Sequence, residues 1–154
     1  MIREFSIRRS SGGRGKFNGG DGIVRVWECR VPLTFSIITE RRVRPPFGMH
    51  GGEDGQAGVN FWAKKQEDGS HKIIFLGPRG LVEMETGDQC IVWTPGGGGW
   101  GTPIEGANGV ANGVDSAGSG KTEVDGKRVD DDIEQYPRAS GSYHKFMSEQ
   151  LAAS

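Results

Sequence analysis

Two adjacent arginines, Arg41 and Arg42, stand at the polar end of the clearest strand pattern in the sequence and could bind an anion. A guanidinium presents a planar fork of donors that suits carboxylate and phosphate groups. Alternation along the strand directs Arg41 to the apolar face that includes Leu33 and directs Arg42 to the opposite face. We therefore expect Arg41 to point inward and to need a partner, because a buried charge must be compensated. That partner is a substrate anion, a set of carbonyl groups or an internal carboxylate such as Asp21 or Glu28.

The segment SSGGRGKFNGGDG, residues 10–22, suggests a second anion site. Its glycines permit positive φ and leave backbone amides uncovered, so these amides and Arg14 could together surround an anion. The alternative is a long connection between two strands in which Asp21 forms a turn, and the sequence leaves both interpretations open.

His50 lies in a glycine-rich segment with Glu53 and Asp54 nearby, and its imidazole could act as an acid, a base or a ligand. A metal site needs three or four converging ligands. The other histidines are His71 and His144, and the three show no ligand spacing, so we predict no metal site. The sequence also offers no glycine-flanked serine nucleophile and no catalytic pair of carboxylates.

The run TPGGGGWGTP contains four consecutive glycines, each of which costs more backbone entropy on folding than any other residue. Its rigid neighbours, Pro95, Pro103, Trp93 and Trp100, distinguish it from a flexible linker. We predict a built loop that turns at the end of a strand and passes close to another surface, with Trp100 burying its ring at the exit. The structural glycines of this loop are Gly96, Gly97, Gly98 and Gly99.

The stretch SAGSGKTE is similar to the end of a phosphate-binding P-loop through Gly120, Lys121 and Thr122. The P-loop spacing requires glycine at the position that Asp115 occupies. No buried strand is predicted before it and no amphipathic helix after it, so the backbone amides would have no fixed cradle. We predict that this stretch does not bind a nucleotide.

Alternation of apolar and polar residues with a period of two predicts a mainly β fold to carry these groups. Short polar segments at 67–70 and 85–88 suit hairpin turns, whereas the loops 10–22 and 45–58 are long enough to indicate function. We predict an antiparallel sheet or a sandwich-like module with long glycine-rich loops. Six runs rich in β-branched and aromatic residues are the expected strands: 4–8, 23–31, 33–41, 59–65, 72–76 and 89–94.

The overall composition excludes several classes of partner. The chain has 154 residues and a formal net charge of -1, which predicts no attraction to nucleic acid or to an anionic membrane. No apolar run approaches the roughly 20 residues of a membrane span. Cys29 and Cys90 each lie in an apolar run, which favours buried thiols over a disulfide and hence a reducing, cytoplasmic compartment.

Residues 104–154 contain few aromatic residues and little apolar periodicity, in contrast to residues 1–103. Such a segment cannot bury enough surface to offset the entropy of ordering. We predict a module over 1–103 and a disordered, flexible tail over 104–154. A short helix over 140–152 is an option within the tail, with Ser140 or Ser142 as its N-cap.

Three segments, SGGRGKFNGGDG, ITERRVRPPFGMHGGEDGQAGVN and TPGGGGWGTP, resemble in order and spacing the C-terminal end of the hydantoinase B half of 5-oxoprolinases. The likeness spans residues 1–103, and the tail resembles an extension of fungal-type members. Two positions depart from the family pattern. Asp54 stands in GGEDG where relatives generally have proline, and Trp100 stands where many have tyrosine.

The resemblance implies ATP-dependent opening of 5-oxo-L-proline to L-glutamate, in the γ-glutamyl cycle that recycles glutathione. In that chemistry, phosphorylation of the lactam carbonyl oxygen creates a leaving group before water attacks. Asp21 and His50 are then candidates for polar positioning. Arg41, Arg42 and Arg14 are candidates for facing the carboxylate or phosphate charge.

In the family, the nucleotide-binding hydantoinase A half and most of the B half lie upstream of this region. We therefore expect this chain to be a fragment that is inactive alone and that has those portions as partners. ATP with Mg would be bound by the complete enzyme and not by this chain alone. The alternative is a non-catalytic binding or assembly module that associates with a full-length enzyme, and a homo-oligomer is also open.

Overall fold

The computed structural model describes residues 1–103 and the backbone of 123–124 and 127–128. This described part contains no helix, and hence none that is long and apolar enough to cross a membrane. The prediction of a mainly β chain is confirmed, whereas the predicted tail and its short helix lie outside the described residues except for two short strands. The strands are β1 (Ile2–Arg8), β2 (Gly22–Glu28), β3 (Leu33–Ile38), β4 (Val59–Lys65), β5 (His71–Phe75), β6 (Arg79–Met84), β7 (Gln89–Trp93), β8 (Glu123–Val124) and β9 (Lys127–Arg128).

Five strands form one antiparallel sheet in the order β1-β2-β7-β4-β5. At the end of the central strand β7, Trp93 faces Val24 of β2 on one side and Val59 of β4 on the other. At the end of β1, Arg8 faces Gly22 at the start of β2. This register places the end of β1, the starts of β2 and β4 and the end of β7 at the same end of the sheet.

Strands β3 and β6 form a separate antiparallel ribbon that packs on the sheet. Phe35 lies opposite Val82 in this ribbon, and both contribute with Ile37 to a cluster that also contains Cys90 and Val92 of β7. The predicted sandwich-like arrangement is therefore present. Strand β6 was not predicted, since the sequence pattern gave only six strands in this region.

The sheet buries an apolar cluster on its other face as well. Phe61 in that cluster is fully buried, and its ring meets the rings of Phe75 and Trp93 at centroid distances of 6.1 and 5.9 Å. Full burial of one such side chain contributes about 1.5–3 kcal/mol to stability. Cys29 and Cys90 are free, buried thiols under the ribbon, which confirms that part of the prediction.

Both short turns that the sequence predicted are confirmed. Residues 66–70 join β4 to β5, and residues 85–88 join β6 to β7. Asp88, at the end of the second turn, is buried and accepts hydrogen bonds from Nε1 of Trp62 (2.9 Å) and from the amide of Lys65 (2.8 Å). Its carboxylate therefore ties the β6–β7 turn to strand β4.

Candidate functional site

Three glycine-rich loops meet at this end of the sheet and pack against one another. They connect β1 to β2 and β3 to β4, and the third follows β7. Hydrogen bonds join residues 11–20, 46–56 and 95–101, which we call the glycine bundle. The two long loops that were predicted to be functional are thus brought together with the four-glycine run.

The four-glycine run lies in the middle of the glycine bundle. Gly97 donates from its amide to the carbonyl of Gly20 (2.8 Å) and accepts from the amide of Gly13 (2.9 Å). Gly99 donates to the carbonyl of Glu53 in the loop between β3 and β4 (2.9 Å). The central segment is therefore bonded to both other loops, and segments without regular secondary structure hold one another in place.

Close backbone contacts explain why these positions are glycine. A Cβ atom at Gly96 would overlap the carbonyl oxygen of Ser11, and one at Gly98 would overlap the carbonyl oxygen of Phe47. At Gly97 the nearest neighbour of such a Cβ lies 3.2 Å away, so the steric demand there is smaller. The prediction that the run passes close to another surface is confirmed, and the surface is formed by the other two loops.

Side chains from all three loops meet at one end of the glycine bundle. Trp100 exchanges two backbone hydrogen bonds with Phe17 (3.0 and 2.9 Å), and the amide of Gly101 donates to the carbonyl of Met49 (2.9 Å). The Trp100 ring lies 5.7 Å from the Phe17 ring and 5.2 Å from the imidazole of His50. We call Phe17, Met49, His50 and Trp100 the tip cluster.

The tip cluster faces the solvent, contrary to the prediction that Trp100 buries its ring. Trp100 keeps 45% of its accessible surface. The reason is local: backbone hydrogen bonds bind Trp100 to Phe17 on one side and Gly101 to Met49 on the other. The glycine bundle therefore fixes the backbone of Trp100, while the Trp100 side chain stays partly exposed on its surface.

His50 belongs to the tip cluster and adopts a φ of 52°, which is uncommon for a residue with a Cβ atom. Its ring contacts Trp100. Nearby, Asp54 accepts a hydrogen bond from the amide of Gly48 (2.8 Å) and so fixes the loop. Among the residues that the structure describes, no group of three or more His, Cys, Asp and Glu side chains could hold a metal ion.

Asp21 serves its own loop. Its carboxylate accepts hydrogen bonds from the amides of Ser10 (3.2 Å) and Gly12 (2.9 Å). This geometry favours the turn-forming role that the sequence left open, because Asp21 itself occupies amides that an anion would need. Arg14 has an exposed side chain, and its carbonyl accepts a hydrogen bond from the amide of Glu53 (2.7 Å).

The inward-pointing arginine is Arg42, so the predicted inward orientation of Arg41 is wrong. Strand β3 ends at Ile38, and strand alternation therefore does not extend to these two residues. Arg41 has a φ of 58° and is exposed, with its guanidinium carbon 5.7 Å from the centre of the Phe47 ring. Glu28, one of the expected partners, instead bonds Arg3.

Arg42 inserts its guanidinium beside strand β4. Nε and Nη2 donate to Oδ1 of Asn60 (3.1 and 3.0 Å), and Nη1 donates to the carbonyl of Glu40 (2.6 Å). These acceptors carry no formal charge. Burial, with a smaller effect of the charge on Arg8, lowers the pKa of Arg42 from 12.5 to about 10. Arg42 thus remains a cation at neutral pH and is held by neutral groups.

Sequence reasoning missed two polar residues that organise this region. Asn60 is fully buried and donates from Nδ2 to Oγ1 of Thr39 (2.8 Å) and to the carbonyl of Gly77 (2.7 Å). Arg8 donates to the carbonyls of Ala57 (2.8 Å) and Thr94 at the base of the glycine bundle. An amide inside the apolar run VNFWA was the available signal for Asn60.

Comparison with known proteins places this geometry in a family. The model of the family described as Hydantoinase B/oxoprolinase matches residues 1–103, which include the whole glycine bundle and strands β1 to β7. No solved structure matches the chain.

Curated relatives from fungi match most of this chain. The 5-oxoprolinase of Saccharomyces cerevisiae is 45% identical over 101 residues, which are 66% of this chain and 8% of that protein. The 5-oxoprolinase PfmaA of Pestalotiopsis fici is 41% identical over 121 residues, 78% of this chain and 9% of that protein. An uncharacterized protein of Schizosaccharomyces pombe is 44% identical over 120 residues, 74% of this chain and 9% of that protein.

The chain therefore spans less than a tenth of the length of these relatives. The matched family region contains the three interlocked loops, the arginine–asparagine contact and the tip cluster. On the extent of this match, the chain belongs to the Hydantoinase B/oxoprolinase family.

Proposed function

We propose that this chain acts as a part of an ATP-dependent 5-oxoprolinase, which opens 5-oxo-L-proline to L-glutamate. The observation that carries the proposal is the family match over residues 1–103, together with relatives that are named 5-oxoprolinases. We assign the reaction to the cytoplasm and to the recycling of glutathione. The two free, buried thiols in the described part suit a reducing compartment.

Within such an enzyme, Arg42 is our leading candidate for facing substrate anion charge. It is a partly buried cation, and its hydrogen bonds to Asn60 and to the carbonyl of Glu40 all go to neutral acceptors. A carboxylate or phosphate brought next to it would gain more than at an exposed arginine, because burial strengthens the interaction. Arg41, Arg14 and His50 remain candidates at the surface, whereas we assign Asp21 to holding its loop.

As the family resemblance implies, we propose that ATP with Mg binds outside this chain in the complete enzyme. Among the described residues, no group of three or more His, Cys, Asp and Glu side chains could hold a metal ion, and Gly120, Lys121 and Thr122 lie outside them. We therefore propose that the nucleotide is handled by the hydantoinase A portion and the rest of the B portion, which act as partners of this chain. This chain would supply the glycine bundle and Arg42.

The test measures ATP hydrolysis and glutamate formation with and without 5-oxo-L-proline. Two proteins are compared: the whole chain alone, and S. cerevisiae 5-oxoprolinase in which the matched segment is replaced by this chain. We expect no turnover by the chain alone and substrate-dependent turnover by the chimera. A folded chimera that neither hydrolyses ATP nor forms glutamate would refute the proposal, as would turnover by the isolated chain.

An assembly module without a catalytic contribution is the second candidate. The exposed tip cluster and the edge strand β1 favour it, because both offer surface for association. The KM of the chimera carrying Arg42→Met distinguishes the two candidate functions. If this chain only assembles, the KM for 5-oxoproline stays at the value of the unsubstituted chimera, and if Arg42 faces the substrate, the KM rises.

A further inference from the structure

We infer that the tip cluster is a docking surface for the portion of an oxoprolinase polypeptide that this chain does not match. The inference rests on the proposed function, since it names the partner that would complete that enzyme. Phe17, Met49 and Trp100 retain 62%, 51% and 45% of their accessible surface. A soluble protein rarely exposes three large apolar side chains so close together.

The backbone below the tip cluster is firmly fixed. Bridges join Trp100 to Phe17 and to Met49, so all three loops contribute to the cluster. Gly51 and Gly101, next to His50 and Trp100, have φ of 88° and 75°, and a Cβ atom at Gly51 would approach Oγ1 of Thr102 to 2.7 Å. The loops therefore hold these side chains outward on an ordered base, as an interface requires.

The shape and chemistry of the tip cluster favour a protein surface as the occupant. Small-molecule sites are concave and bury most of their ligand, whereas these side chains protrude. Aromatic residues and methionine are enriched in the cores of protein interfaces. Lys16 places its ammonium 5.8 Å from the centre of the Phe17 ring. Such contacts suit an interface that is apolar at its centre.

The length of the relatives identifies the occupant. The matched segment is 8–9% of each fungal relative, and the tip cluster lies inside the family match rather than beyond it. In a relative, this segment is accompanied by more than ten times its own length of polypeptide. We therefore assign the tip cluster to contact with that polypeptide, rather than with a second copy of this chain.

The outer face of the β3–β6 ribbon provides an internal comparison. Ile38 and Leu81 are exposed there, at 77% and 63% of their accessible surface. They lie between Ser36, Arg79 and Glu83 on that face, so polar groups interrupt the apolar surface. Across the ribbon Ile38 faces Arg79 and Leu81 faces Ser36, so each has a polar cross-strand neighbour, and exposed apolar residues of this kind are tolerated by soluble proteins.

The first experiment maps the solvent reactivity of side chains by hydroxyl-radical labelling and mass spectrometry. The whole chain is compared with the chimera of S. cerevisiae 5-oxoprolinase that carries it. Phe17, Met49 and Trp100 should react several-fold more slowly in the chimera, while the buried Phe61 stays unreactive in both proteins. Equal reactivity of the three side chains in both proteins would overturn the inference.

The second experiment uses Trp100→Ser, with Ile38→Ser on the ribbon as the matched control. In the isolated chain, both substitutions should leave the melting temperature within a few degrees, because both side chains are exposed. In the chimera, Trp100→Ser should lower the melting temperature and increase proteolysis, whereas Ile38→Ser should not. A chimera that responds equally to both substitutions contradicts the inference.

These readouts separate this inference from the proposed function. A chimera that hydrolyses 5-oxoproline but leaves the tip cluster reactive overturns the docking surface and keeps the function. A chimera that protects the tip cluster but has no turnover keeps the docking surface and overturns the function. Dimerisation of the isolated chain that is lost with Trp100→Ser would also overturn the inference, because the occupant would then be a second copy.

Discussion

At Gly98 the glycine bundle leaves no space for one additional carbon atom. A Cβ atom there would overlap the carbonyl oxygen of Phe47, and both backbones are held by hydrogen bonds of their neighbours. Gly20 lies in the same bundle, but a Cβ atom there would meet nothing within 4 Å. These two positions separate the steric demand of the bundle from the general entropy cost of glycine.

We predict that Gly98→Ala lowers the free energy of unfolding by about 3 kcal/mol, because a packed backbone must move to admit the methyl group. Gly20→Ala should change it by less than about 0.5 kcal/mol. Urea denaturation of both variants measures the difference. Similar midpoints for the two variants would show that glycine is used here for flexibility and not for close contact.

The contact between Arg42 and Asn60 yields a second prediction at the scale of residues. Arg42→Met should cost about 2 kcal/mol, because the buried Oδ1 of Asn60 loses both donors. In a double-mutant cycle with Asn60→Leu, the two changes should couple by about 1–2 kcal/mol. Strictly additive effects would mean that the hydrogen bonds contribute nothing to folding.

At the scale of elements, the buried thiol of Cys90 in the central strand β7 makes the stability of the fold depend on pH. Burial, with a smaller effect of Cys29, raises the pKa of Cys90 from 9.0 to about 12. Above pH 9, the unfolded chain releases this proton while the folded chain retains it, so stability falls between pH 9 and about 12. Below pH 9 this contribution to stability is fully present.

We predict that raising the pH from about 8 to about 10 removes about 1.4 kcal/mol more stability from the natural chain than from Cys90→Ala. The alanine variant loses a constant amount through packing, but it has no proton to release at this position. Denaturation at the two pH values gives the comparison. An identical pH dependence of the two proteins would exclude a protonated, buried Cys90.

Most strands could be predicted from the sequence because their alternation is local. Strand β6 could not, since the apolar Leu81 faces the solvent and hides the alternation of Val82 and Met84. The orientation of Arg41 and Arg42 could not be predicted either, because it depends on where β3 ends. The long loops indicated a site, but their mutual packing arises from hydrogen bonds between residues more than 30 positions apart, such as Gly13 with Gly97.

At the scale of the whole molecule, the glycine bundle and the sheet should open together. The bundle joins the end of β1, the starts of β2 and β4 and the end of β7, and Arg8 bonds two of its flanking carbonyls. Separating one loop would leave the amides and carbonyls of the other two without partners inside a packed region. The three loops are therefore expected to form one cooperative unit with the sheet, unlike ordinary surface loops.

Amide hydrogen exchange tests this cooperativity. We predict that the amides of Gly97, Gly99 and Met49 exchange as slowly as the amide of Val92 in β7, although none of the three belongs to a strand. The β4–β5 turn, residues 66–70, should exchange faster, because its backbone hydrogen bonds, Gln66 to Ser70 and Gly69 to Gln66, lie within the turn. If the bundle amides exchanged as fast as this turn, the loops would open independently, and the tip cluster would lack the ordered base that a docking surface needs.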